Sequence, residues 1–258
     1  MSLAEPSSTN VNRSPSGAAM SRQGHEIDLF IVGLNIDKHE GHFGRREGSL
    51  VSLAHGVYMR AGADLGETFR TYGVRIANWK YQNAAITHSC AWYRRPIELV
   101  VRKKVQSIKL FIGGDFDYKI YIGDPPAKKE KVGAAVKKPK PAAPKGPVCL
   151  ISQTRVNPDF HDPSLYVPQT FSDPLGEFQM YCATPEMTAI HMMEVNKRHP
   201  EKRLEGEDLD AFVKVLLERH GGDPYAVMAA VDAISRRTDA SGEFDRFVKH
   251  IFPMMRAS

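Results

Sequence analysis

The chain is poor in cysteine, in long apolar runs and in catalytic fingerprints, and each shortage narrows what it can be. Its three cysteines, Cys90, Cys149 and Cys182, are widely spaced and odd in number. That argues against a disulfide framework and fits a reducing, intracellular setting, cytoplasmic or nuclear. No apolar run approaches the ~20 residues that span a bilayer. The opening MSLAEPSSTNVNRSPSGAAMSRQG has no apolar centre, so it does not read as a secretory signal. Its serines, with Arg13 and Arg22, have a faint transit-peptide character. Its Ser, Pro, Asn and Gly bury little surface, and a disordered polar tail is expected over residues 1–24. The patterns G-x-x-x-x-G-K-S/T, G-x-G-x-x-G and G-x-S-x-G do not occur, so the common nucleotide and hydrolase sites are not expected, and no cofactor is implied.

What is present is an ordinary folded composition with one local exception. Of the 258 residues 42% are hydrophobic, and the net charge is +5. Residues 126–147 hold seven Lys against one Glu, so without them the chain would be slightly acidic. The lysines are Lys128, Lys129, Lys131, Lys137, Lys138, Lys140 and Lys145, spaced by five Pro and five Ala. Proline removes backbone donors and like charges repel, so an extended, solvated segment is expected.

Hydrophobic periodicity sets the expected elements. Glu26–Ile36 reads as a buried strand. Ser49–Gly62 has Leu50, Leu53, Ala54 and Val57 at helical spacing and reads as a helix, with a strand as the alternative. Thr68–Gln82 and Ile97–Gly114 read as β-rich. Asp115–Asp124 alternates strictly, with Phe116, Tyr118, Ile120 and Ile122 on one side, and Gly113-Gly114-Asp115 suggests a tight turn joining it to the strand before. Val148–Val156 resumes as a strand, followed by a Pro-rich irregular piece. From Thr184 onward four short helices are expected: one opened by Thr184-Pro185-Glu186, one by Gly206-Glu207-Asp208, one by Asp223-Pro224 and one by Asp239 or Ser241 and closed by Pro253. The expected fold class is α+β: a β-rich core over 25–183, interrupted by the basic segment 126–147, and a compact four-helix part over 184–258. The segment is either a tether between domains or a long loop within one sheet. The strands on its two flanks favour the loop, with Val148–Ile151 pairing back onto Tyr118–Ile122.

Candidate chemistry is sparse. His39-Glu40-Gly41-His42 lacks the spacing of a zincin, and Gly41 disfavours a helix, so a polar loop is expected. His88 stands two residues from Cys90, but no orienting acid accompanies them and a structural cysteine is expected. Asp115 and Asp117 suit a turn as well as a cation. Cations with aromatics between them are more suggestive. Arg94 and Arg95 follow Trp92 and Tyr93, and Arg102, Lys103 and Lys104 come soon after; Arg75, Trp79, Lys80 and Tyr81 add a second cluster. Such mixtures can stack bases and neutralise phosphates, although strand aromatics packed inward with cations outward give the same pattern. The basic segment resembles the low-complexity tails of linker histones, which bind polyanions by counterion release, and Lys137–Lys140 resembles a short nuclear-import signal.

The plan of polar tail, β-rich core, basic segment and helical end, together with Phe69-Arg70-Thr71-Tyr72, resembles virion structural proteins of the matrix type, as in rhabdoviruses. The resemblance implies a non-enzymatic assembly protein that contacts nucleic acid or membrane, self-associates and resides in the cell or the virion. The chain departs from that pattern in carrying its basic segment mid-chain and in lacking P-P-x-Y, since Pro125-Pro126 is followed by Ala127-Lys128. The expected contacts are the seven lysines together with Arg94, Arg95, Arg102, Lys103 and Lys104. The partners are nucleic acid or an anionic membrane surface, a second copy, and an import receptor at Lys137–Lys140. An intracellular adaptor whose lysines are only a spacer is the alternative, and an enzyme of unknown class is the third reading. A titratable cluster in a pocket would favour the enzyme.

Overall fold

The computed structural model describes residues 27–81, 83–114, 118–123, 147–155, 159, 161–194 and 200–257. The chain is a mixed α and β protein with two sheets. The smaller sheet joins β1 (Leu29–Ile31), β2 (Leu50–Ala54) and β3 (Val57–Arg60) in the order β1-β3-β2, with α1 (Lys38–Glu47) packed on β2. The larger sheet runs β7 (Tyr118–Ile122), β8 (Val148–Arg155), β6 (Lys104–Gly114), β4 (Ala85–Ile86), β10 (Gly176–Ala183), β9 (Tyr166–Asp173), and β5 (Ile97–Val101) also pairs with β6.

The long strand β6 is covered on both faces. Ile108, Leu110, Phe111 and Ile112 are all fully buried. Successive side chains of a strand alternate in direction. Ile108 meets α2 (Leu65–Lys80) near Gly66, while Lys109 and Phe111 look the other way. That second face meets α3 (His88–Tyr93) and the short 3-10 helix Pro200–Lys202. Burial on both faces explains why Leu110, Phe111 and Ile112 are apolar in succession rather than alternating, with the buried Lys109 paired to Glu201.

Several sequence expectations are corrected here. Ser49–Gly62 forms the β2–β3 hairpin, because Gly56 at φ 72 turns the chain between two runs that only mimic helical spacing. A side chain at that position would run into the Trp79 ring, 2.8 Å away. Thr68–Gln82 is not strand: α2 occupies it, capped by Asp64, whose carboxylate accepts from Glu67 N at 2.8 Å. Phe69, Tyr72, Gly73, Ile76 and Ala77 are its buried stripe, which is the helical period. The His39–His42 stretch lies in α1, not in a loop. Gly41 and Gly44 let that helix sit directly on Tyr58 and Leu50, where a Cβ would come within 2.7 Å of either side chain. The Pro-rich piece holds β9, an outermost strand of its sheet, where Pro168 costs no ladder bond that a central strand would need. Gly113 and Gly114 do not turn β6 directly onto β7, because β8 lies between them, parallel to β6 and antiparallel to β7. Asp115 and Asp117 fall outside the described residues.

The strands flanking the basic segment do pair: Ile120 is opposite Ile151 and Ile122 opposite Cys149. After Ala183 come α4 (Pro185–Met192), α5 (Glu207–Arg219), α6 (Pro224–Arg237), α7 (Ser241–His250) and α8 (Phe252–Ala257). Thr184 caps α4 through Met187 N, and Asp223 caps α6 through Tyr225 N. Neither Asp239 nor Ser241 caps α7, whose cap residue is Ala240, and Pro253 lies within α8 rather than ending the run. The edge-on ring contact of Trp92 with Phe212, 5.6 Å between centroids, ties α3 to α5. Among the described residues, no helix is long and apolar enough to cross a membrane.

Candidate anion-binding end of the sheet

Arg102 and Lys103 form the two-residue turn of the β5–β6 hairpin, with Val101 opposite Lys104. Both are left-handed, at φ 50 and 62. A turn with two such residues is the type favoured in hairpins and normally takes Asn-Gly or Asp-Gly. Here it carries two long cations, at a cost of ~1 kcal/mol or more each. Arg102, Lys103 and Lys104 are exposed, and so are Val100 and Val101, at 54% and 44%. The nearest acid on this strand, Glu98, is taken up by Arg70 at 2.5 Å, so it does not cancel the charge of the tip.

Strand register places the roots of the basic segment at the same end. β8 begins with Val148 beside Ser107, and β7 ends with Ile122 opposite Cys149. The chain therefore leaves at Gly123 and returns at Pro147 near the level of Ser107, one or two strands across and roughly 10 Å along β6 from Lys104 at 3.3 Å per residue. Both roots are fixed on the N-terminal turn of α2: Gly123 lies against Leu65, and Pro147 against Gly66. Lys128, Lys129, Lys131, Lys137, Lys138, Lys140 and Lys145 themselves lie outside the described residues.

Not all of the expected cations belong to this end. Arg94 and Arg95 precede Ile97, at the far end of β5, roughly 13 Å of strand away at 3.3 Å per residue. Arg94 is the left-handed C-cap of α3, and Arg95 lies over the Tyr93 ring at 6.0 Å. The aromatics are half-buried and partly engaged: Trp92 meets Phe212 edge-on, Trp79 lies against Gly56, and the Tyr93 hydroxyl donates to Asp208 at 2.7 Å. Arg75 is buried, bonded to Asp173 at 2.6 Å and lying over the Phe178 ring at 4.3 Å. The inward packing of strand-like aromatics, now on helices, accounts for this part of the pattern.

One polar constellation was not visible in the sequence. His88 and His191 stack at 5.0 Å, both almost fully buried. His88 Nε2 meets Glu194 at 2.9 Å, and Lys202 Nζ donates to the same carboxylate at 2.5 Å. An ionised carboxylate only accepts, so His88 carries its proton on Nε2, and its Nδ1 accepts from the Thr87 hydroxyl at 2.9 Å. Beside it Lys109 pairs with Glu201, both buried. Burial pushes the His88 imidazole down to about 4, with the Glu194 bond opposing, and holds His191 well below its ordinary value. The bond from His88 holds Glu194 at about 2. His88 and Glu194 stand 106 residues apart in sequence and Lys109 and Glu201 stand 92 apart, so no spacing could have announced them. Cys90 is not activated by His88: its thiol donates to Lys109 O and accepts from Phe111 N, and burial pushes it up to about 12. Among the described residues no group of three or more His, Cys, Asp or Glu is placed to hold a metal.

Neither a protein-family model nor any curated protein matches this chain.

Proposed function

We propose that the chain is a non-enzymatic structural or assembly protein of the matrix type, working in the cell or virion, that docks on an anionic lipid surface. The larger sheet is its core, and the helices after Ala183 are its self-associating end. One observation supports the reading: the register of β6, β7 and β8 turns both roots of the seven-lysine segment towards the end of the sheet that carries the strained cationic tip of the β5–β6 hairpin. Backbone strain persists where something other than folding selects it. Exposed Val100 and Val101 beside three cations suit a headgroup layer, which offers charge at its surface and an apolar interior just below. Duplex nucleic acid offers only the charge, and the aromatics beside these cations are half-buried, with Trp92 against Phe212 and Trp79 against Gly56. The thiols, raised to about 12, make weak nucleophiles and add nothing to an enzymatic reading. Lys137–Lys140 keeps its place as an import-receptor contact within the same segment.

The test is partition of the full chain onto vesicles of phosphatidylcholine with and without phosphatidylserine. Each Lys or Arg near an anionic surface contributes about 1 kcal/mol, so R102Q/K103Q/K104Q is expected to lower partition about a hundredfold at low salt. Replacing the seven lysines of the segment by Gln should lower it further and flatten the salt dependence. Unchanged partition in both variants would overturn the lipid reading. Tighter binding to duplex DNA than to the vesicles, lost with the same lysines, would shift the assignment to nucleic acid.

A further inference from the structure

The buried His88–His191 stack joins α3 to α4, beside two other polar links, from the Ser89 hydroxyl to Glu201 O at 2.6 Å and between Lys109 and Glu201. His88 opens α3, at φ 55, and its ring is held by Thr87 and Glu194. His191 lies on α4, packed on that ring, and neither of its nitrogens has a hydrogen-bond partner among the described residues. A buried polar group left unpaired destabilises the fold, and an unpaired imidazole next to a second imidazole is a place where one more proton has no counter-charge. The surrounding charges are already balanced. From the end of α4 comes Glu194, and from the 3-10 helix Lys202 and Glu201; from β6 comes Lys109, which neutralises Glu201. Arg203 donates to Glu194 O, and from α7 Arg246 donates to Met193 O while pairing with Glu243. Lys202 also lies over the Phe111 ring at 5.5 Å, so protonation of either histidine would add positive charge beside an existing buried cation.

We propose that this stack is an acid-sensitive latch: neutral, it clamps the end of α4 and the 3-10 helix to α3 and β6, and protonated, it releases them. No bond is made or broken; the only exchange is uptake of one proton by each imidazole from water. The direction follows from linkage. An imidazole whose pKa is depressed in the closed state takes up its proton only on opening, so closure is fully stable above the ordinary histidine range. It weakens as the pH falls from about 6.5 towards the depressed closed-state value, about 4 for His88. Glu194 acts in the same direction but lower in pH: its carboxylate is held at about 2 in the closed state, so its contribution is lost only as the pH falls below the ordinary carboxylate range.

The experiment is native-state amide exchange of the full chain between pH 7 and 4.5, corrected for the intrinsic rate at each pH. Each histidine that protonates on opening steepens the opening equilibrium by up to tenfold per pH unit. Amides of 88–94, 187–194 and 201–204 should therefore open close to a hundredfold more for each unit below 6, while the Val57–Arg60 strand is unchanged over the same range. H191F keeps a stacked ring without a titrating nitrogen and should reduce the dependence to about tenfold. Imidazole chemical shifts of the unsubstituted protein give a reading that needs no variant: both histidines should stay neutral in the closed signal at pH 5.5. Closed-state titration near 6.5, or the same pH dependence in H191F, would overturn the latch.

Discussion

Lys104 and Lys109 stand five residues apart on one strand and live in opposite environments. Lys104 borders a hairpin tip where Arg102, Lys103 and Lys104 are exposed, none of them paired with a carboxylate among the described residues, and two residues hold a backbone conformation suited to glycine. Lys109 is buried, points at Glu201 and belongs to a network in which each charged group has a partner. On the proposed reading, the difference separates a charge kept for a partner from a charge kept for the fold. The first is exposed, uncompensated and locally strained, and the second is buried, compensated and shared between distant segments. The comparison can be sharpened or broken by moving each end separately.

The largest effect is expected at the buried end. K109A leaves Glu201 ionised and without its counter-charge in the core, a loss of roughly 3–5 kcal/mol. K104A, on the same strand, should stay within about 0.5 kcal/mol of the parent, as exposed substitutions do. Urea unfolding of both variants at pH 7 checks the pair. Similar destabilisation by the two would mean that the distinction drawn between the ends of β6 is wrong.

The exposed end should respond with the opposite sign. R102N/K103G gives the turn the residues it prefers and removes two charges. It should raise stability by about 1–2 kcal/mol, the relief of two left-handed side-chain conformations. Vesicle partition should fall at the same time. A variant that gained no stability would mean that the turn is not strained, and one that kept full partition would mean that the strain serves some other contact.

Much of this contrast was legible in part. The lysine excess and the flanking strands pointed to a loop within one sheet, and the pairing of Tyr118–Ile122 with β8 matches that expectation. Arg102, Lys103 and Lys104 were visible as cations, but not as a turn. What placed them there was a register that only the folded sheet sets. The helix α2 was misread because its buried residues include Phe69, Tyr72, Val74 and Ile76, types that suit a strand when periodicity is not weighed against composition. Gly41 was read as disfavouring a helix, yet its lack of a Cβ is what allows close packing on Tyr58. His88 was noticed for the wrong partner. Cys90 is its neighbour in sequence, but the groups that set its chemistry come from residues 191, 194 and 202, brought in by the return of the chain after β10.

The claim that the hairpin tip meets an anionic lipid surface is tested most directly at Val101. Cys90, Cys149 and Cys182 are buried, with thiols raised to about 12, so V101C can be labelled selectively with an environment-sensitive fluorophore. On phosphatidylserine vesicles at low salt the emission should shift to the blue and return as salt screens the attraction, with duplex DNA producing no comparable shift. Bound protein whose label at this position still reports water, on vesicles that retain it by sedimentation, would contradict the account.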